Sequence, residues 1–153
     1  MASGEARTEL PDEVLRYLEG GRLVVAATVG SDGAPYTMVM NSVIALDSRT
    51  LRFALDRRTQ TLKNLYENPA IMLEVIGDGF IYGVRGGAEI LRETMEHAPV
   101  PSALVEVAVE AVKRDLPPGV IVEGPMYRWG ALDPFMAPVE PPMFEELRTF
   151  GRS

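Results

Sequence analysis

Between Leu23 and Leu91 the chain is cut repeatedly into short β-type runs by glycine, proline and aspartate, and this punctuation restricts its fold more than any other feature. Residues 23–29, LVVAATV, stop at Gly30-Ser31-Asp32-Gly33, and β-type composition resumes after Pro35 from Tyr36 to Ile44. That pair reads as a hairpin. After a turn at Asp47-Ser48-Arg49, Leu51, Phe53 and Leu55 alternate with Arg52, Ala54 and Asp56. A period of two marks a half-buried strand. Ile71 to Ile76 and Phe80 to Leu91 flank Gly77-Asp78-Gly79, whose Asp-Gly step suits a tight hairpin. Gly83, Gly86 and Gly87 in the second of these runs predict a bulge or a close backbone contact. Many short antiparallel strands leave exposed edges unless the sheet curls, so a closed or partly closed barrel is expected.

Helical signals are fewer. Pro11, Asp12 and Glu13 open a short helix whose apolar stripe is Val14, Leu15 and Leu18, and Gly20-Gly21 stops it. Thr59 to Asn68 places Leu62, Leu65 and Tyr66 on one helical face and closes at Asn68-Pro69. Residues 103–116 carry two patterns: Val105, Val107 and Val109 at period two, and Glu106, Glu110, Lys113 and Arg114 at helical spacing behind Pro101-Ser102. The capping signal favours a helix there. After Pro117-Pro118-Gly119 a last strand is expected from Val120 to Trp129. The tail, 133–153, is proline-rich and ends amphipathically around Phe144, Leu147 and Phe150. The sum is one domain, 1–153, with six antiparallel strands and short flanking helices.

Composition narrows the function classes. The net charge of −7 repels polyanions, so neither nucleic acid nor an anionic membrane is an expected partner. With no cysteine, disulfides, thiolate metal sites and a cysteine nucleophile are excluded. The first twelve residues contain no signal-peptide core, and LVVAATV is too short to span a bilayer, so a soluble cytoplasmic protein is expected. The single histidine, His97, stands in a loop sequence and cannot build a metal site or a catalytic triad. Gly77-Asp78-Gly79 is followed by strand, not helix, so it is a turn and not a dinucleotide fingerprint.

The segment with most chemistry is Asp56 to Leu65. Arg57, Arg58 and Thr59 precede a helix whose free N–H groups attract an anion, and Lys63 lies one turn on from Thr59. The same residues also fit solvated arginines beside an ordinary threonine cap. Asn41 and Ser42 interrupt both faces of an otherwise apolar strand, and buried polar groups need partners, either a ligand or neighbouring backbone. Met38 and Met40 read as core. Trp129, the only tryptophan, shares a face with Tyr127 and suits either flavin stacking or interface packing.

The order of these pieces resembles the FMN-binding split barrels related to pyridoxamine 5'-phosphate oxidase, in particular the small bacterial FMN-binding proteins. The resemblance covers residues 10–91 and is carried by Ser31-Asp32-Gly33-Ala34-Pro35, Asn41-Ser42, Arg58-Thr59 with Asn64-Leu65 and Asn68-Pro69, and Arg85-Gly86 with Glu89. It implies a six-stranded antiparallel split barrel of Greek-key type that binds FMN near the interface of a homodimer. It further implies that Arg58 and Thr59 hold the phosphate, with Arg57 and Lys63 as second choices, that Asn41, Ser42 and Asn64 belong to the cofactor site, and that Trp129 reaches the partner's cofactor. An oxidoreductase acting on a small molecule, with a nicotinamide donor, is the implied activity. A non-catalytic electron carrier or flavin store, or the same fold holding F420 or haem, is the alternative. Two departures stand out. The family's usual serine-x-lysine is replaced by Thr59-Gln60-Thr61, and the C-terminal arginine-histidine pair that holds the vitamin B6 phosphate has no counterpart. Genuine pyridoxamine 5'-phosphate oxidation is therefore not expected.

Overall fold

The computed structural model describes residues 7–152. Its elements are α1 (Asp12–Tyr17), β1 (Val24–Val29), β2 (Pro35–Met40), β3 (Ile44–Asp47), β4 (Thr50–Asp56), α2 (Gln60–Glu67), β5 (Ala70–Gly77), β6 (Phe80–Arg92), β7 (Ser102–Arg114), a 3-10 turn at Gly130–Leu132, α3 (Asp133–Met136) and α4 (Glu140–Thr149). The seven strands form one sheet in the order β2-β1-β5-β6-β7-β4-β3, and every pairing is antiparallel.

The two edge strands, β2 and β3, are consecutive in the chain, with only residues 41–43 between them. Such a short link forces the edges of the sheet towards each other, which curls the sheet into a split barrel. The seam is stitched by Gly21 N donating to Asn41 O at 3.1 Å and Ala45 N donating to Leu18 O at 2.8 Å. β5, β6 and β7 are joined in sequence, and β4 lies beside β7, which is a Greek-key arrangement.

Period-two alternation fills the barrel. Val24 and Ala26 of β1, Leu51, Phe53 and Leu55 of β4, Leu73 and Val75 of β5 and Val105 and Val107 of β7 form one buried cluster, closed by Val14 and Leu18 near one end and Leu62 and Leu65 of α2. A second cluster of Ile44, Met95, Leu104, Met143 and Leu147 lies under α4, outside the barrel wall. The glycines of β6 act as the sequence implies. The register with β7 shifts between Arg85 and Gly86, and a Cβ on Gly86 would stand 2.4 Å from Ala108 O.

Three expectations are corrected. Residues 103–116 do not form a helix: Ser102–Arg114 is β7, paired with β4 on one side and β6 on the other. Burial of Val105 and Val107 between neighbours outweighs helical charge spacing, and Glu106 faces Arg52 across the strands. The strand expected at Val120 to Trp129 is irregular chain, with Ile121 92% and Met126 82% exposed. Pro117, Pro118 and Pro125 withhold ladder donors, and the barrel seam leaves no long open edge to join. Finally, Tyr36 to Ile44 is not one strand but breaks at Asn41-Ser42-Val43 into β2 and β3, so the barrel has seven strands, not six.

Candidate functional site

The break at residues 41–43 shapes a cavity of about 170 Å³ between the end of β2, β4, the β6–β7 loop and α4. Met38 and Met40 from β2, Ala54 and Asp56 from β4, and Met143 from α4 line it, with Trp129 and Glu140 on the C-terminal side. The methionines read as core thus face a cavity, although Met40 is itself buried.

Of the polar residues at the break, Ser42 is held by the protein itself. Its Oγ donates to Ala54 O at 3.0 Å and accepts from Ala54 N at 3.1 Å, pinning the corner to β4. Burial, and then the Glu140 charge, push the Tyr127 phenol up from its ordinary value, with Asn41 opposing. Trp129 packs edge-to-face on Tyr127, with centroids 5.5 Å apart. Its indole Nε1 donates to Glu140 Oε1 at 2.6 Å.

The basic cluster sits beyond Asp56, at the N-terminus of α2. Thr59 is the helix cap: its Oγ1 accepts from Leu62 N at 3.3 Å and donates to Asp56 O at 2.8 Å. Arg58 is 80% exposed on its side chain and forks onto Asp56, with Nε and Nη2 at 3.1 and 2.7 Å from the two carboxylate oxygens. The guanidinium beside Asp56 holds that carboxyl below its ordinary range. Arg57 turns elsewhere, donating from Nη1 to Glu93 O at 2.9 Å and Thr94 Oγ1 at 2.7 Å, and so braces the β6–β7 loop. Lys63 is exposed.

Asn64 faces inward. Its amide donates to Thr28 Oγ1 at 3.0 Å and accepts from Gln60 Nε2 at 2.9 Å, which locks α2 to β1. One turn earlier, Thr61 Oγ1 is buried without a hydrogen-bond partner, the one side-chain atom in that state among the described residues.

The structure therefore gathers Asn41, Ser42 and Trp129 around the cavity and Arg58, Thr59 and Lys63 around the end of α2. Asp56 joins the two groups. Glu140 and Met143 escaped the sequence reading, and Asp56, although it opens the basic segment, was given no role there. Asp56 looked like an alternating strand residue, and the other two reach the cavity only through the packing of α4. No group of three or more metal-ligating side chains occurs among the described residues.

The family model described as pyridoxamine 5'-phosphate oxidase matches residues 10–128, most of the chain. The chain belongs to the pyridoxamine 5'-phosphate oxidase family. Solved structures agree on the fold. HupZ of Group A Streptococcus superposes with a TM-score of 0.60 at 19% identity, over 76% of this chain and 99% of its own. An F420 reductase gives 0.54 at 24% identity, over 65% and 94%. The FAD binding protein from Mycobacterium smegmatis gives 0.51 at 19% identity, over 71% and 96%. No curated protein sequence matches the chain. Trp129, Glu140 and Met143 lie beyond the region matched to the family, so one wall of the cavity is built from this chain's C-terminal segment. No helix among the described residues is long and apolar enough to cross a membrane.

Proposed function

We propose that this chain binds FMN and serves as an oxidoreductase of the pyridoxamine 5'-phosphate oxidase family, acting on a small molecule other than pyridoxamine phosphate. The observation that carries this reading is the continuity of an apolar, methionine-lined cavity with a cationic helix end through one shared residue, Asp56. A flavin needs both parts: an apolar slot with a polar rim for the ring, and an anion site for the phosphate.

The residues present fit that division. Met38, Met40 and Trp129 offer polarizable and aromatic surface, and Asn41 offers a polar rim. Arg58, Lys63 and the first amides of α2 supply positive charge in a chain of net charge −7. The unpartnered Thr61 hydroxyl in the first turn is a further donor at the same helix end. Asp56 competes with a phosphate for Arg58, but exposed ion pairs contribute little and exchange readily. Bound FMN would supply the hydride or electron transfer, while the chain binds and orients it. Solved relatives named as an FAD binding protein and an F420 reductase support a flavin-type ligand on this fold.

The reading includes a homodimer with the cofactor near its interface. Val39 on edge strand β2 is 57% exposed and Tyr36, on the strand's other face, 42%, apolar surface at this edge that a second copy would cover. Light scattering reports the oligomeric state. The cofactor is tested by the visible spectrum and by the mass of any copurified ligand, with F420 or haem as the outcomes that replace FMN. Arg58→Ala is expected to weaken FMN binding at least about fivefold in a fluorescence titration, as for a lost charged hydrogen bond. Unchanged affinity removes the phosphate assignment. Steady-state turnover with a nicotinamide donor separates an enzyme from an electron carrier or flavin store.

A further inference from the structure

On the far side of Trp129 and Glu140 lies a second, larger cavity of about 640 Å³. Its walls include three aromatic rings, Tyr127, Trp129 and Phe144, and two carboxylates, Asp133 and Glu140, against one guanidinium, Arg128. Phe144 is fixed in place. Its ring fills the space where a side chain on Gly20 would stand, 2.6 Å from a Cβ built there, at a backbone φ of 100° that glycine adopts freely. Trp129 is fixed too, by its indole bond to Glu140 Oε1 and its edge-to-face contact with Tyr127. That bond engages one oxygen of Glu140 and leaves the charge of the group within the cavity wall.

We propose that this second cavity is a binding site for a small organic cation carrying an apolar or aromatic body, with Glu140 as its electrostatic anchor. Aromatic faces attract cations through their quadrupoles. Carboxylates outnumber the guanidinium in the same wall, and the −7 charge of the whole chain adds a field that draws cations inward. Trp129 and Glu140 also line the smaller cavity, so a molecule bound here sits against the same two side chains as the cofactor. Only its placement beside a bound cofactor rests on the flavin reading; the binding itself does not.

Trp129, as the only tryptophan, is a built-in reporter. The full-length protein as purified is titrated with benzyltrimethylammonium and, separately, with benzoate, following tryptophan fluorescence before and after FMN addition. The expected result is a saturable change with the cation and none with benzoate over the same range. Glu140→Gln keeps an oxygen for the indole bond and removes the charge, and is expected to weaken the cation roughly tenfold. Should that variant fail to fold, Asp133→Asn at an exposed position is expected to weaken binding in the same direction. Benzoate binding as well as the cation, or no saturable change with either, overturns the proposal. So does full retention of cation affinity in folded Glu140→Gln. Failure of FMN to bind leaves this titration unaffected, so the two readings fall separately.

Discussion

Replacing Arg52 with alanine tests how the C-terminal wall of the site is held in place. Arg52 lies on β4 and is only 4% exposed. Its Nε donates to Glu106 Oε2 at 2.9 Å, and Nη2 lies 2.8 Å from the same oxygen. Nη1 donates to Leu147 O at 3.1 Å and Phe150 O at 2.7 Å, the otherwise unpaired carbonyls at the end of α4. A single guanidinium thus caps a helix and neutralises a carboxylate beneath it. Removing the buried member of this pair costs up to about 3–5 kcal/mol, because the two carbonyls lose their donor and Glu106, 27% exposed, loses its counter-charge. For a chain of this size each kcal/mol moves the midpoint by about 2–4 °C. The expected fall in Tm is therefore up to roughly 6–20 °C, read by circular dichroism and by Trp129 fluorescence. Replacing both partners, as Arg52→Met with Glu106→Leu, should recover much of the loss, since no buried charge is then left alone. A single variant that melts within about 2 °C of the parent would refute the reasoning, because fluctuating surface pairs behave that way and buried caps do not.

Two further predictions concern carboxylates. Asp56→Asn removes the charge that occupies Arg58, so FMN affinity should rise in the same titration in which Arg58→Ala lowers it; a fall would mean that Asp56 supports the ligand directly. Glu74, opposite Gly83 in the β5–β6 ladder, has its carboxyl pushed up to about 7, first by burial and then by Asp115, with Lys113 opposing. A folded-state value above the ordinary 4.5 means that the folded chain holds this proton more tightly, so the contribution to stability is present at low pH and is lost as pH rises through about 7. Asp115 is held below its ordinary value, so its own contribution is lost only in more acidic solution. Urea midpoints should fall between pH 5 and pH 8, and Glu74→Gln should flatten that slope; an unchanged slope in the variant would place its origin elsewhere.

How far the fold could be read from the sequence depended on whether each signal was local. β1, β4, β5, β6 and α2 announce themselves through alternation, turn residues and the Thr59 cap, all of which act within a few residues. β7 carries two competing periods, and the choice between them is made by β4 and β6, which bury Val105 and Val107 from both sides. Local charge spacing cannot report a neighbour that lies fifty residues away, as Arg52 does for Glu106. The break after Met40 was equally hidden, because Ser42 leaves the ladder to bond Ala54 across the corner, a contact that exists only once the sheet has curled.

The same division runs through the candidate site. The α2 end was visible because a helix terminus needs only its own flanking residues, and the structure adds that Arg58 meets Asp56, two positions away. The wall made by Trp129, Glu140 and Met143 was visible only in part, as a lone tryptophan. Its carboxylate and methionine arrive through α4, and α4 is held by Arg52 at its end and by Glu146, whose oxygens accept from the backbone N–H groups of Glu96 and His97. Those two buried anchors fasten the C-terminal segment to the barrel and to the β6–β7 loop that also borders the cavity. Loosening either anchor should therefore open the cavity while leaving the cationic turn between β4 and α2, where Arg58 meets Asp56, in place.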